Sequence, residues 1–240
     1  MERKQFLKNS FGFMGMGVVL AEACKKNVTG TTTTTANSGD CIVTPTEVEG
    51  PYPYVGGELT NPLERSDVTA GQTGLPLVLT FTVVDANNNC AVFSGARVDI
   101  WHCNKDGYYS GYGNQNGGTL GTQSYVGQTW LRGYQLTDAK GVAAFQTIYP
   151  GWYQGRATHI HIEVFVNNVL KKTGQITFPE TISDAVHVTS LYAAHGINSM
   201  RNVSDGIFNN SATDLANETV ALSGDTTNGY TGSYTLGLQL

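Results

Sequence analysis

What most constrains this chain is a series of short β-branched and aromatic runs, each stopped by a cluster of Asn, Asp or Gly. Leu77-Val78-Leu79-Thr80-Phe81-Thr82-Val83-Val84 ends at Asp85-Ala86-Asn87-Asn88-Asn89. Ala96 to Trp101 alternates, with Val98 and Ile100 flanking Asp99. Asp138-Ala139-Lys140-Gly141 is a turn leading into a strand over Val142 to Ile148, and the alternating run His159 to Val166 stops at Asn167-Asn168. Such runs extend because branched side chains fit a pleated surface, and they stop because Asn, Asp and Gly accept turn geometry. Helical periodicity is confined to Asp184–Ala194, and no internal repeat is present. Short strands at this spacing predict an all-β sandwich or barrel. The 29 glycines and 12 tyrosines argue against a helical bundle, and 40% apolar residues is too many for a disordered chain.

The charge balance removes one class of partner. Fourteen Lys and Arg stand against 19 Asp and Glu, a net charge of −5 with no basic stripe; nucleic-acid binding depends on such a stripe meeting phosphates. No apolar run approaches the roughly 20 residues of a membrane-spanning helix. The N-terminus instead reads as a delivery device. Arg3, Lys4 and Lys8 precede an apolar stretch from Phe11 to Ala23, as in a secretion signal. Arg3 to Lys8 resembles a twin-arginine export signal whose second Arg is Lys. Leu20-Ala21-Glu22-Ala23-Cys24 resembles a bacterial lipobox, with Glu22 in place of the usual small residue. The expectation is a signal peptide over residues 1–23, a Thr-rich flexible tether over 24–40 and a folded domain over 41–240. The protein would be exported, either anchored to a membrane through a lipid on Cys24, on the periplasmic or outer-membrane side, or secreted outright.

Export leaves Cys41, Cys90 and Cys103 in an oxidising compartment, where three cysteines imply one disulfide and one leftover thiol. Cys90 and Cys103 bracket the strand around Val98 and are the favoured pair. No Cys-x-x-Cys spacing suggests a cysteine metal site. Chemistry concentrates instead between Trp101 and Gln175. In His159-Ile160-His161, residues two apart on a strand share a face about 6.6 Å apart, so both imidazoles can converge on one ion while Ile160, Ile162, Val164 and Val166 bury behind them. Alone, the pair reads more readily as two hydrogen-bonded core histidines than as ligands. Its neighbours are Tyr149-Pro150-Gly151-Trp152-Tyr153-Gln154-Gly155-Arg156 and Trp101 to Gly111, which supply tyrosines. Two imidazoles with two phenolates form a hard, anionic donor set suited to Fe(III).

These segments resemble the intradiol ring-cleavage dioxygenases, non-haem ferric enzymes acting on catechols. The resemblance lies in seven blocks in order: Thr46 to Tyr52, Val98 to His102, Gly107 to Ser110, Leu131 to Gly133, Thr137-Asp138, Pro150 to Tyr153 and Gly155 to His161. It implies the family's β-sandwich, antiparallel, with long loops and little helix. It implies one Fe(III) per chain held by Tyr109, Tyr153, His159 and His161, with Tyr109 selected over Tyr108 by the family's Gly-x-Tyr pattern. It further implies that a catechol displaces Tyr153, that both atoms of O₂ enter the ring, and that a cis,cis-muconate-type diacid results. Arg156 falls where the family has an arginine over the substrate ring, a fixed cation for developing negative charge. Gln175 falls where the family has a glutamine close to substrate or oxygen. His102, His187 and His195 match no ligand role and are expected to be structural. Arg65, Arg97 and Arg132 are candidates to meet a substrate carboxylate.

The chain also departs from the pattern. Five residues separate Tyr153 from His159, fewer than in the aromatic-degradation enzymes, and no N-terminal helical dimerisation segment fits before Cys41. Tyr52-Pro53-Tyr54 replaces a double tyrosine. This shorter form resembles the secreted intradiol-like branch. Two other readings compete: a non-catalytic catechol- or sugar-binding lipoprotein on the same sandwich, and a zinc hydrolase built on the His-x-His pair, which lacks an obvious third ligand and carboxylate base.

Overall fold

A computed structural model of the protein describes residues 41–240. The expected signal peptide, tether and Cys24 anchor lie outside the described residues. The strands are β1 (Pro76–Asp85), β2 (Ala91–Val92), β3 (Arg97–Trp101), β4 (Gln115–Asn116), β5 (Thr122–Gln123), β6 (Arg132–Leu136), β7 (Val142–Ile148), β8 (His159–Val166) and β9 (Val169–Thr177); after helices α1 (Glu180–His187) and α2 (Ala212–Glu218) come β10 (Ala221–Asp225) and β11 (Gly229–Leu238). One sheet runs β10-β11-β1-β2, with β7 also paired to β1. The other runs β6-β3-β8-β9, and β4 and β5 form a small hairpin.

The two main sheets enclose one apolar core. Leu77, Leu79, Phe81 and Val83 of β1 and Phe145 of β7 meet Val98 and Ile100 of β3 and Ile160, Ile162 and Val164 of β8. Every second residue of a strand faces the same way, so this inward set sends His159, His161 and Glu163 to the outer face of the second sheet. That face is buried too: His159 is 2% exposed and His161 is not exposed at all. The segment after Cys41 covers it. Thr44 N–H bonds to the Gly237 carbonyl, Glu47 N–H to the Thr173 carbonyl, and Lys172 Nζ reaches the Thr44 carbonyl and Thr46 Oγ1.

The all-β sandwich is as expected, but not every pairing is antiparallel. β1 and β11 run parallel over nine paired residues, from Leu77–Tyr230 to Asp85–Leu238. Parallel neighbours need a long connection, and here nearly the whole domain lies between them. The helix expected over Asp184–Ala194 starts earlier, at Glu180, and ends at His187. The cysteine expectation is corrected. Cys41 bonds Cys90 across a Cα separation of 5.6 Å, and Cys103 is a buried free thiol. Cys90 sits in the turn between β1 and β2 of the first sheet, where the chain after Cys41 meets it, whereas Cys103 follows β3 of the second sheet.

Candidate functional site

The register of the second sheet builds the site. His161 on β8 lies directly opposite Trp101 on β3 and Gln175 on β9. The Trp101 indole stacks on the His161 ring at 4.9 Å, tilted by 4°. His159 sits one pleat earlier on the same face. Two loops bring the tyrosines. Tyr109 follows β3 in a turn tied by Asn104 Oδ1, which accepts from Asp106 and Tyr108 N–H, and by Gln115, which bonds both the N–H and the carbonyl of Tyr109. Tyr153 follows β7. The loops press together so closely that a Cβ on Gly107 would lie 2.0 Å from the Trp152 carbonyl oxygen.

Three donor atoms meet at one point. His159 Nε2 and His161 Nε2 are 3.1 Å apart, and Tyr109 Oη lies 3.3 Å from the first and 3.2 Å from the second. Tyr153 closes the group, its ring 5.7 Å from that of Tyr109 and 5.5 Å from that of His159. Tyr108 turns away, donating to the Gly121 carbonyl, which leaves Tyr109 as the tyrosine at the site. The tautomer of His159 is set by its other nitrogen: Nδ1 lies 2.6 Å from the Ala157 carbonyl, which can only accept, so Nε2 of the neutral ring carries a lone pair towards the centre.

Arg156 and Gln175 join the same point. Arg156 Nη1 lies 3.3 Å from Tyr153 Oη, and Nη2 donates to Gln175 Oε1 at 2.6 Å. Gln175 Nε2 in turn donates to the Val48 carbonyl of the covering segment. That segment supplies Gly50, packed against His161, and Tyr52, stacked on Tyr109 at 4.6 Å. Sequence reasoning missed Asp205, a fully buried acid whose Oδ2 accepts from Arg156 Nε at 2.8 Å. No local motif in Ser204-Asp205-Gly206 points to it.

Burial dominates the electrostatics. It lowers His159 to about 3, with Arg156 adding to the shift, and holds His161 well below the usual imidazole range. It raises Tyr109 well above the usual phenol range and pushes Tyr153 up to about 12, the latter against the pull of Arg156. The donors are thus two neutral imidazoles and two phenols, all buried except the partly exposed Tyr153. The triangle's edges of 3.1 to 3.3 Å let three donors reach one first-row metal ion at about 2 Å. A multivalent cation would reverse the cost of ionising the phenols. Among the described residues no three His, Cys, Asp or Glu side chains gather around a metal-sized space, so a metal here must use the tyrosines.

The other expected groups are engaged elsewhere. His102 is buried between the Cys103 carbonyl and Thr147 Oγ1, and His195 stacks on Trp152 at 3.8 Å. His187 Nε2 faces the Pro150 carbonyl. Arg97 pairs with Asp99, Arg132 donates to Ser110, Tyr52 and Pro53, and Arg65 donates to the carbonyls of Thr129 and Arg132.

Comparison with known proteins gives a consistent picture. Residues 48–211 match a family model described as Dioxygenase. Catechol 1,2-dioxygenase 1 of Acinetobacter lwoffii is 27% identical over 150 residues, 55% of this chain and 45% of that protein. Catechol 1,2-dioxygenase of Acinetobacter baylyi is 28% identical over 167 residues, 61% of this chain and 50% of that protein. The chain thus spans about half the length of the curated relatives it matches. An intradiol ring-cleavage dioxygenase from Tetranychus urticae superposes with a TM-score of 0.71 at 28% identity, covering 82% of this chain and 94% of that one. The dioxygenase domain of a dioxygenase–carbohydrate-binding protein fusion from Streptomyces sp. SirexAA-E shares the fold, with a TM-score of 0.59 at 22% identity over 83% and 99% of the chains.

Proposed function

This chain belongs to the intradiol ring-cleavage dioxygenases, and from that premise we propose that it opens a catechol between its two hydroxylated carbons, using one non-haem Fe(III) and both atoms of O₂, to give a cis,cis-muconate-type diacid. The observation that carries the reading is the triangle of Tyr109 Oη, His159 Nε2 and His161 Nε2. With Tyr153 these residues would hold the ion. Bound there, ferric iron would supply Lewis acidity and an electron sink, chemistry that calls for no external reductant.

The chain's own residues do the rest. Tyr153, the most exposed of the four residues, would be a phenolate once the ion is bound; it would then take the proton of an incoming catechol hydroxyl and make way for it. Arg156, whose Nη1 already reaches Tyr153 Oη, then faces the bound ring and stabilises negative charge as it develops there. Gln175 fixes the second Nη of Arg156 and ties the segment around Val48 over the site, excluding water. A binding module would have no need for four converging donors with a buried cation beside them. A zinc hydrolase would need a free carboxylate base, whereas Asp205 is spent on Arg156 and on backbone N–H groups.

We further propose export, with a lipid on Cys24; the leader's residue pattern and the Cys41–Cys90 disulfide support an oxidising compartment. Mass spectrometry of the membrane fraction tests this: an unmodified, cytoplasmic chain would refute it. The metal site is tested by the visible spectrum of iron-loaded protein. A tyrosinate-to-ferric band that shifts on adding catechol, and changes in Tyr109→Phe and Tyr153→Phe, is the expected result. A colourless protein that still binds catechols would refute the reading.

A further inference from the structure

Building on the dioxygenase reading, we propose that Asp205 is a positioning residue that holds the Arg156 guanidinium in its working orientation towards Tyr153 and the substrate ring.

An arginine side chain has many rotamers, and its five donors can face several ways. Here one edge is fixed. Asp205 Oδ2 accepts from Arg156 Nε at 2.8 Å, leaving both Nη groups pointed at Tyr153 and Gln175. The carboxylate is itself immobile. Oδ2 also accepts from Ala157 N–H at 2.6 Å and Oδ1 from Ile207 N–H at 2.8 Å, and the residue is wholly buried. With side-chain exposures of 14% and 0%, this is not a surface salt bridge, whose partners would be free to part.

The surrounding segment makes the same contact in other ways. Asn198 Nδ2 donates to the Arg156 carbonyl, and the Phe208 ring lies 5.8 Å from the guanidinium carbon and 6.5 Å from the His159 ring. Asn202 fastens the segment to the end of β9 by accepting from Thr177 Oγ1 and donating to the Phe178 carbonyl. Residues 198–208 therefore form a cradle whose contacts converge on Arg156. Without the carboxylate, a largely buried guanidinium would lose its counter-charge and turn towards other acceptors. Small misplacements of a group that acts on the transition state cost large factors in rate.

The test uses Asp205→Asn, which keeps the size and an acceptor oxygen but removes the charge. In iron-loaded protein kcat for catechol should fall about 10- to 100-fold, with KM within about threefold and the resting ferric band unmoved. In an Arg156→Lys background the same substitution should change kcat by less than about twofold, because what Asp205 positions has gone. In metal-free protein the Arg156 Nε–H resonance should be protected from exchange, and that protection should vanish in Asp205→Asn. Asp205→Glu, which keeps the charge but changes its reach, should fall between the two and covers the case of a poorly folding amide variant. Equal losses of kcat in both backgrounds, or an unchanged Nε–H resonance, would overturn the proposal. A wild-type protein that is inactive although iron-loaded would instead sink the dioxygenase reading, while the resonance still reports on Asp205.

Discussion

Gly50→Ala separates backbone strain from damage to the site. Gly50 has φ of +76°, and a Cβ built there would lie 2.9 Å from His161 Cε1. Carbon atoms prefer about 3.5 Å or more, so either the ring or the covering segment must give by about 0.6 Å. The ring is stacked on Trp101 and its Nε2 belongs to the donor triangle, so a shift of the ring carries Nε2 out of place. The left-handed backbone alone should cost about 1–2 kcal/mol, which lowers Tm by about 2–8 °C in a domain of this size. With His161 as a ligand, as proposed, its displacement should weaken iron binding about 10- to 100-fold. The control is Gly57→Ala, where φ is +85° and nothing lies within 4 Å of the added carbon. Thermal melts and iron competition with a chelator should show both variants destabilised and Gly50→Ala alone impaired in iron affinity. Equal iron affinity in the two would refute the claim that the covering segment sets the position of His161.

Glu218 is wholly buried, and burial, then Glu47, raise its carboxyl to about 8 from a normal 4.5. The folded state therefore keeps a proton that the unfolded chain loses, so stability should fall as pH rises from about 4.5 to about 8; urea melts of Glu218→Gln should be flatter across that window, and an equal slope would refute the assignment. Replacing Cys41 and Cys90 by Ser opens a loop with a sequence separation of 49 and should cost about 4 kcal/mol in a denaturant titration. Cys103, buried and pushed up to about 12 by burial, should resist alkylation until the protein unfolds; fast labelling of native protein would contradict its placement. Because Arg65, Arg97 and Arg132 are all committed to other partners, kcat/KM for catechol should exceed that for 3,4-dihydroxybenzoate by at least about tenfold, and a preference for the carboxylate would show that a cation faces the pocket.

Much of this was legible because it is local. The alternation of His159 to Val166 marks β8 and its two faces, and Val142 to Ile148 marks β7 with the bounds observed. The Gly-x-Tyr and Tyr-x₅-His-x-His spacings name the side chains that the structure brings together. What was not legible depends on distant partners. β11 reads Gly-Tyr-Thr-Gly-Ser-Tyr-Thr-Leu-Gly-Leu, too glycine-rich to announce a strand, and its parallel pairing with β1 has no local signal. Helix α2 is seven residues long and rests on one local cue, the cap from Ser211 to Asp214 N–H. The disulfide joins the covering segment to the β1–β2 turn, a proximity that exists only once the sandwich has formed. Asp205 meets Arg156 across 49 positions, where chain spacing carries no information.

In the proposed reaction both atoms of one O₂ enter the catechol. The direct measurement is turnover of catechol by iron-loaded protein under ¹⁸O₂, with the product examined by mass spectrometry. A ring-opened diacid carrying two ¹⁸O atoms, with one O₂ consumed per catechol and no reductant added, is the predicted result. A product with one labelled atom, a quinone formed without ring opening, or no O₂ uptake by a protein that holds its iron would contradict the account.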